Sequence, residues 1–195
     1  ADAVRNALTA LGVKHAVLVG HSMGGVVAAA LAEKEPALVE RVAVSDTPAT
    51  PDLVALPALG KAVCWPMIGP ALDRLRGVDA ITESSLQTGF AAGYAVPQFA
   101  HRSLERLTYA GVCDSKEGTL ASVADTLKDL DKPVLVIFGE QDVLTPTARN
   151  IQRYGKSGLV PRVIVGSGHS PMVEKPDDFV AAISAFVAGA PAVIQ

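Results

Sequence analysis

The fold of this chain is decided by residues 16–25, which read AVLVGHSMGG. The apolar run at residues 16–19 is typical of a buried strand, and the Ala- and Leu-rich segment after Gly25 is typical of a helix that ends before Pro36. A serine at the turn between such a strand and helix adopts an unusual backbone conformation that exposes its hydroxyl above the sheet. The stretch therefore predicts a nucleophile elbow at Ser22, and the alternative is a turn whose serine only caps the helix.

Glycines on both sides of Ser22 make this turn sterically possible. Gly20 and Gly24 lie two residues to either side of it, where we expect a Cβ atom to collide with the neighbouring strand or helix. Gly25 is expected to let the helix begin close to the sheet.

Two more polar side chains follow predicted strands nearer to the C-terminus. The apolar run at residues 133–138 leads into Gly-Glu-Gln-Asp, which ends at Asp142. The run at residues 162–165 leads into a Gly-rich loop that contains His169. Because the carboxyl ends of parallel strands lie at one edge of a sheet, Ser22, Asp142 and His169 are expected to meet there. Acyl transfer needs such a set: a serine nucleophile, a histidine base, and an aspartate that orients the imidazole.

Each of these assignments has an alternative. Asp142 could instead cap the helix that is predicted just after it, and Asp46, which follows the predicted strand at residues 41–44, is a competing acid; the Gly-Glu-Gln-Asp context favours Asp142. His169 could be a loop histidine without a proton to transfer, but of the four histidines it alone lies in a Gly-rich loop after a late strand. His21 is expected to be structural, because a side chain beside the elbow serine points away from the reacting carbonyl.

Three motifs occur in the order and at the spacing of a known family: GHSMGG at residues 20–25, PVLVIFGEQD at 133–142, and GSGHSP at 166–171 followed by EKPDDF. They resemble the catalytic core of the α/β-hydrolase family. The resemblance implies an α/β fold with a mostly parallel sheet, flanking helices and a cap insertion. It also implies that Ser22, Asp142 and His169 are nucleophile, acid and histidine, and that the backbone N–H of Met23 is one oxyanion donor. We expect no cofactor and no metal.

The region that precedes the elbow strand in this family is absent from the chain. In the family, earlier strands lie there, and the loop after the third strand donates the second oxyanion N–H. Here residues 2–12 are predicted to form one amphipathic helix that stops at Gly12. The resemblance thus covers about the C-terminal two-thirds of a usual member, and we expect this chain alone to be weak or inactive.

The missing strands have a physical consequence for the elbow strand. An apolar strand such as residues 16–19 is typical of a sheet interior, with neighbours on both sides. Without one neighbour, its backbone N–H and C=O groups would form an open hydrophobic edge. We therefore expect a missing N-terminal segment, either lost or present as another chain, or a homo-oligomer contact to cover this edge.

The alternation of strands and helices breaks in the middle of the chain, where proline recurs. We predict a core at residues 1–48 and 124–195 and a cap, or lid, at 49–123. Apolar side chains of the cap could line an acyl pocket, although ordinary packing within the cap is the alternative. The pocket candidates are Trp65, Met67, Phe90 and Tyr94.

Composition excludes several classes of partner. The 195 residues, 49% apolar and 19% charged, suffice for one sizeable core, and the net charge of −3 without a basic run gives no case for nucleic acid. No apolar run reaches the length of a membrane span. The start, Ala1-Asp2, shows no signal-peptide pattern, so the compartment stays open with the cytoplasm as default. Cys64 and Cys113 lack metal-ligand spacing and are expected to be two thiols, with one disulfide as the alternative.

These observations predict a serine hydrolase, esterase- or lipase-like, that cleaves an ester or thioester of a small, largely apolar acyl group through an acyl-enzyme on Ser22. A cofactor-free peroxidase-like enzyme or a carbon-carbon bond hydrolase of the same fold is an alternative. A non-catalytic binding protein on this fold is another, because a fold does not fix a function.

Overall fold

One parallel sheet of four strands organises the chain. The computed structural model describes residues 1–56, 58–114 and 122–189. The strands lie side by side in chain order: β1 (Ala16–His21), β2 (Val39–Ser45), β3 (Val134–Gly139) and β4 (Arg162–Ile164). Every pairing is parallel. The four strands predicted from apolar runs are therefore confirmed.

Helices cover both faces of the sheet and fill the long connection between β2 and β3. They are α1 (Asp2–Ala10), α2 (Met23–Lys34), α3 (Ala58–Ala62), α4 (Gly69–Asp73), α5 (Asp79–Gln87), α6 (Gln98–Arg106), α7 (Tyr109–Asp114), α8 (Val123–Asp129), α9 (Thr147–Lys156), α10 (Pro171–Glu174) and α11 (Pro176–Val187). Short 3₁₀ turns lie at Pro51–Leu53 and Arg74–Gly77. No helix in the described ranges is long and apolar enough to cross a membrane.

The core has two layers because side chains alternate along the central strands. Val42 and Val44 of β2 pack on one face with α2, α8 and Tyr154 of α9. Ala43 of β2 packs on the other face with Ile137 of β3 and with α11. The two central strands are thus buried on both faces, as is typical of a parallel sheet.

The elbow strand β1 lies at one edge of this sheet. It pairs with β2 on one side, and within the described residues no strand lies on its other side. Val19 of β1 is 49% exposed. An apolar strand therefore presents unpaired backbone groups and an exposed valine along this edge.

The two cysteines form a disulfide, and the expectation of two free thiols was wrong. Cys64 follows α3 and Cys113 lies in α7, with their Cα atoms 5.5 Å apart. The bond joins the two ends of the segment α3–α7, which we call the helical segment. Disulfides form and persist in oxidising environments.

The disulfide should contribute strongly to stability, since its cysteines are 49 residues apart. Closing a loop of that size removes about 4 kcal/mol of conformational entropy, as free energy, from the unfolded chain. The Cys64→Ser/Cys113→Ser variant should therefore lose about this much unfolding free energy in denaturant titrations. Reductant should shift the wild-type curve and leave that of the variant unchanged; a wild-type curve that ignores reductant would contradict the assignment.

Candidate active site

Ser22 adopts the strained conformation that a sharp strand-to-helix turn requires. Its backbone has φ 52° and ψ −121°, a region that residues with a Cβ atom rarely occupy. Its N–H donates to the carbonyl of Ser45 at 2.8 Å, and Thr47 Oγ1 donates to its carbonyl at 3.0 Å. Two neighbours on and after β2 thus hold the turn in place. Met23 is the first residue of α2, so its N–H has no acceptor within the helix.

The glycines around Ser22 differ in how closely they are packed. A Cβ atom at Gly20 would collide with the backbone of Gly24, and one at Gly25 would collide with Thr47, as predicted for both positions. The prediction for Gly24 was wrong: a Cβ atom there would meet nothing within 4 Å among the described residues. Gly24 lies in the first turn of α2, and that side of the turn faces open space.

Asp142 and His169 meet at the carboxyl edge of the sheet. His169 Nδ1 lies 2.8 Å from Asp142 Oδ2, and both residues are buried. Asp142 Oδ1 accepts from the N–H groups of Leu144 and Thr145 at 2.8 and 2.9 Å, and the Thr145 hydroxyl donates to Oδ2. Burial alone would raise the pKa of Asp142, but the hydrogen bonds and charge of His169 and the Thr145 donors outweigh it and lower the pKa. Asp142 is therefore an ionised acceptor.

His21 joins the elbow to the loop of His169. Its Nε2 lies 2.6 Å from the backbone carbonyl of His169, and the two rings are 4.9 Å apart. Because a carbonyl only accepts, Nε2 of His21 must carry the proton. Burial, followed by the nearby His169, lowers the pKa of His21, so its ring stays neutral. Ser22 and His169 are thus on two segments that touch through the residue beside the serine.

Asp46, the competing acid, makes a different set of contacts. Its side chain is fully buried; Oδ1 accepts from the N–H of Gly139 at 2.8 Å, and Oδ2 accepts from the Ser45 hydroxyl at 2.6 Å. Burial raises the pKa of Asp46 to about 8. Of the two candidate acids, Asp142 is the one that is hydrogen-bonded to His169.

Three of these residues offer ligand atoms to a metal ion. Single atoms of Asp46, Asp142 and His169 lie within 4.8 Å of one another. However, His169 Nδ1 and Asp142 Oδ2 already satisfy each other. The cluster is therefore explained by hydrogen bonding.

Glu174 is a buried residue whose part in the site the sequence analysis did not predict. Its Oε1 accepts from the N–H groups of Gly168 and Ser170, at 2.9 and 3.2 Å, on either side of His169. Its Oε2 accepts from the N–H of Ala91, in the loop after α5, at 2.7 Å. One carboxyl group thus fixes the histidine loop and connects it to the chain after α5. The EKPDDF motif contained this residue, but its position alone does not reveal its partners.

The four pocket candidates lie in different surroundings. Phe90 is buried and stacks on Tyr94 with their ring centroids 5.6 Å apart, and the Tyr94 hydroxyl donates to the carbonyl of Val173. Trp65 is 58% exposed and Met67 94% exposed. An open cavity of about 590 Å³ separates α5 from residues 140–143, and Phe90 and Asp142 are in its lining. Of the four candidates, Phe90 and Tyr94 are therefore known to contact each other.

Removing the Glu174 carboxyl group should destabilise the histidine loop. Three backbone N–H groups would lose their acceptor in Glu174→Ala, so the unfolding free energy should fall by about 2 to 4 kcal/mol in denaturant titrations. The matched control is Glu140→Ala, because Glu140 is exposed and accepts from the single N–H of Gly166. The control should lose about 1 kcal/mol or less; equal losses in the two variants would contradict this account.

Known proteins share this architecture. The chain is 29% identical over 212 aligned residues to an uncharacterised protein of Mycobacterium tuberculosis. The alignment covers 96% of this chain and 60% of that protein. It is similar in structure to a bromoperoxidase from Bacillus anthracis, with TM-score 0.74 and 19% identity over 95% of this chain and 71% of that one. It is also similar to an enol-lactonase from Burkholderia xenovorans LB400, with TM-score 0.73 and 21% identity over 95% and 70%.

The family of the chain follows from a match over most of its length. The chain spans 60% of the length of the curated relatives it matches, so it corresponds to part of such a protein. The structural similarities, at these identities, show the fold. Residues 1–183 match the sequence model of the alpha/beta hydrolase family, and the chain therefore belongs to that family.

Proposed function

We propose that this chain carries the catalytic residues of a serine hydrolase that cleaves an ester or thioester of a small, largely apolar acyl group. Ser22 is the nucleophile, His169 the general base and then acid, and Asp142 the residue that orients His169. The observation that carries the proposal is the buried hydrogen bond between His169 Nδ1 and Asp142 Oδ2, next to the strained turn of Ser22.

The tautomer of His169 supports this assignment. Because Asp142 is ionised and accepts, Nδ1 of His169 carries the proton and Nε2 is left with a lone pair. In the proposed reaction Nε2 takes the proton of the Ser22 hydroxyl as its oxygen attacks the substrate carbonyl. The proton then passes to the leaving alcohol or thiol, and an acyl-enzyme remains on Ser22. Water, activated in the same way at Nε2, releases the acid and restores the serine.

The negative charge that develops on the carbonyl oxygen needs donors. We assign the backbone N–H of Met23 as one donor, since it lies at the N-terminus of α2, where the helix dipole also favours negative charge. In this family the second donor comes from a loop after an earlier strand, upstream of the region that this chain covers. We propose that the second donor of this site also comes from such a loop, N-terminal to β1.

We further propose that residues 49–123 form a cap over the site. The contact of Glu174 with Ala91 attaches the chain after α5 to the histidine loop, and it places the stacked pair Phe90 and Tyr94 next to that loop. These two aromatic rings are our candidates for the wall of the acyl pocket. Trp65 and Met67 are largely exposed and keep this role only as a prediction.

A fluorophosphonate probe, which reacts with activated serines, tests the nucleophile directly. Labelling should occur in the protein that carries this chain and should be lost in Ser22→Ala, because the attacking oxygen is removed. It should fall strongly in His169→Ala, because the serine loses its base. Mass spectrometry of the labelled peptide identifies the residue.

The matched control for this experiment is Ser103→Ala, which removes a hydroxyl that donates to the carbonyl of Phe99 within its own helix. This variant should label like the wild type. Labelling that persists in Ser22→Ala, or a complete protein that never labels, would instead favour a binding protein on this fold.

The open edge of β1 predicts how the chain behaves on its own. We propose that an N-terminal segment of the longer protein pairs with this edge, and that copies of the isolated chain cover it by pairing with each other. Sedimentation velocity of the chain alone should therefore show concentration-dependent association. Val19→Lys, which places a charge on the exposed side of β1, should reduce it. A compact monomer at all concentrations, with the edge bare, would contradict the proposal.

A further inference from the structure

Two buried carboxyl groups lie close to each other and to His169. They are Asp46, after β2, and Asp142, after β3, and one side-chain oxygen of each lies within 4.8 Å of the other. Two negative charges at this distance and out of water repel each other strongly, so we expect one of the two groups to hold a proton. Within the described residues, no lysine or arginine forms an ion pair with either group, so no side-chain cation neutralises the pair in place of this proton.

The other donors decide which carboxyl group keeps the proton. Asp142 is surrounded by His169 Nδ1, two backbone N–H groups and the Thr145 hydroxyl. Asp46 receives one backbone N–H, from Gly139, and the Ser45 hydroxyl. Because more donors stabilise negative charge on Asp142, the charge belongs there and the proton belongs on Asp46.

We propose that Asp46 is a positioning residue: it is a neutral carboxylic acid in the folded protein and leaves the negative charge to Asp142. The pair then carries one negative charge, which faces His169, in place of two charges that would repel each other. The Thr145 hydroxyl lies 3.2 Å from the backbone carbonyl of Asp46 and donates to the Asp142 carboxyl group, so it connects the two residues through the backbone of Asp46. The positioning role of Asp46 rests on the proposed role of His169, whereas the protonation of Asp46 does not.

The titratable groups around Asp46 and Asp142 include two imidazoles: His169, from the loop after β4, and His21, at the end of β1, which interacts electrostatically with Asp142. Ser45 and Thr145 contribute hydroxyls. Burial raises the pKa of Asp46 from its ordinary 3.8 to about 8, in agreement with a neutral acid at neutral pH.

Protonation of Asp46 gives stability a definite dependence on pH. Between its ordinary pKa of 3.8 and its folded value of about 8, the folded state holds a proton that the unfolded state has released. The contribution of Asp46 to stability must therefore fall as pH rises through this range and level off above it. Asparagine has the shape of the neutral acid and can donate, but it does not ionise.

Infrared spectroscopy of the chain, without substrate, tests the proposal. At about pH 6.5, where exposed carboxyl groups are ionised, the wild type should show the carbonyl band of a buried protonated carboxyl group. The band should disappear as pH rises through about 8 and should be absent in Asp46→Asn. The control Asp131→Asn, at an exposed aspartate between α8 and β3, should keep it.

Equilibrium unfolding supplies a second readout that does not depend on turnover. The unfolding constant of the wild type relative to Asp46→Asn should grow by up to about tenfold per pH unit between pH 5 and 7. A wild type without the band would overturn the proposal even if the variant failed to fold. A pH-independent ratio, or a band that survives in Asp46→Asn, would also overturn it. None of these outcomes depends on whether Ser22 labels, so failure here is distinguishable from failure of the proposed function.

Discussion

The hydrogen bond between Asp142 and His169 is the constraint around which the site is arranged. A carboxylate removed from water is costly unless donors surround it, and those donors must come from fixed positions. The turn after β3 supplies backbone N–H groups from Leu144 and Thr145, and the loop after β4 supplies the imidazole. Both loops begin at the same edge because the strands are parallel. The negative charge of Asp142 is thus stabilised by donors from two loops that the parallel strands bring to one edge.

The imidazole of His169 keeps its orientation toward Asp142 only if the backbone of its loop is held in place. Gly139 and Gly168 allow the end of β3 and the histidine loop to touch, since a Cβ atom at Gly139 would collide with the carbonyl of Gly168. His21 binds the carbonyl of His169 from one side, and Glu174 binds the N–H groups on either side of it. With its carbonyl and both neighbouring amides occupied, the loop has little freedom to turn the ring away from Asp142.

The sequence was sufficient to predict the parts of this arrangement that depend on local pattern. Apolar runs identified the four strands, and the positions just after them identified Ser22, Asp142 and His169 as residues of one edge. The sequence could not predict pairings between distant segments. The contact of Glu174 with Ala91 spans 83 residues, and the spacing of Cys64 and Cys113 carries no information about whether they meet. The closeness of Asp46 and Asp142 also required coordinates, because their chain positions present them as alternatives for one role.

The contacts of Glu174 and Gly168 also attach the helical segment to the histidine loop. The N–H of Ala91 binds Glu174, and a Cβ atom at Gly168 would collide with the backbone of Ala91 and Phe90. The chain after α5 therefore packs directly on the histidine loop. A displacement of this chain would break a buried hydrogen bond and leave a carboxyl oxygen without its donor, which is unfavourable. Because Ala91 lies inside the loop that the disulfide closes, the stretch of chain that packs on the histidine loop belongs to the segment joined by that bond.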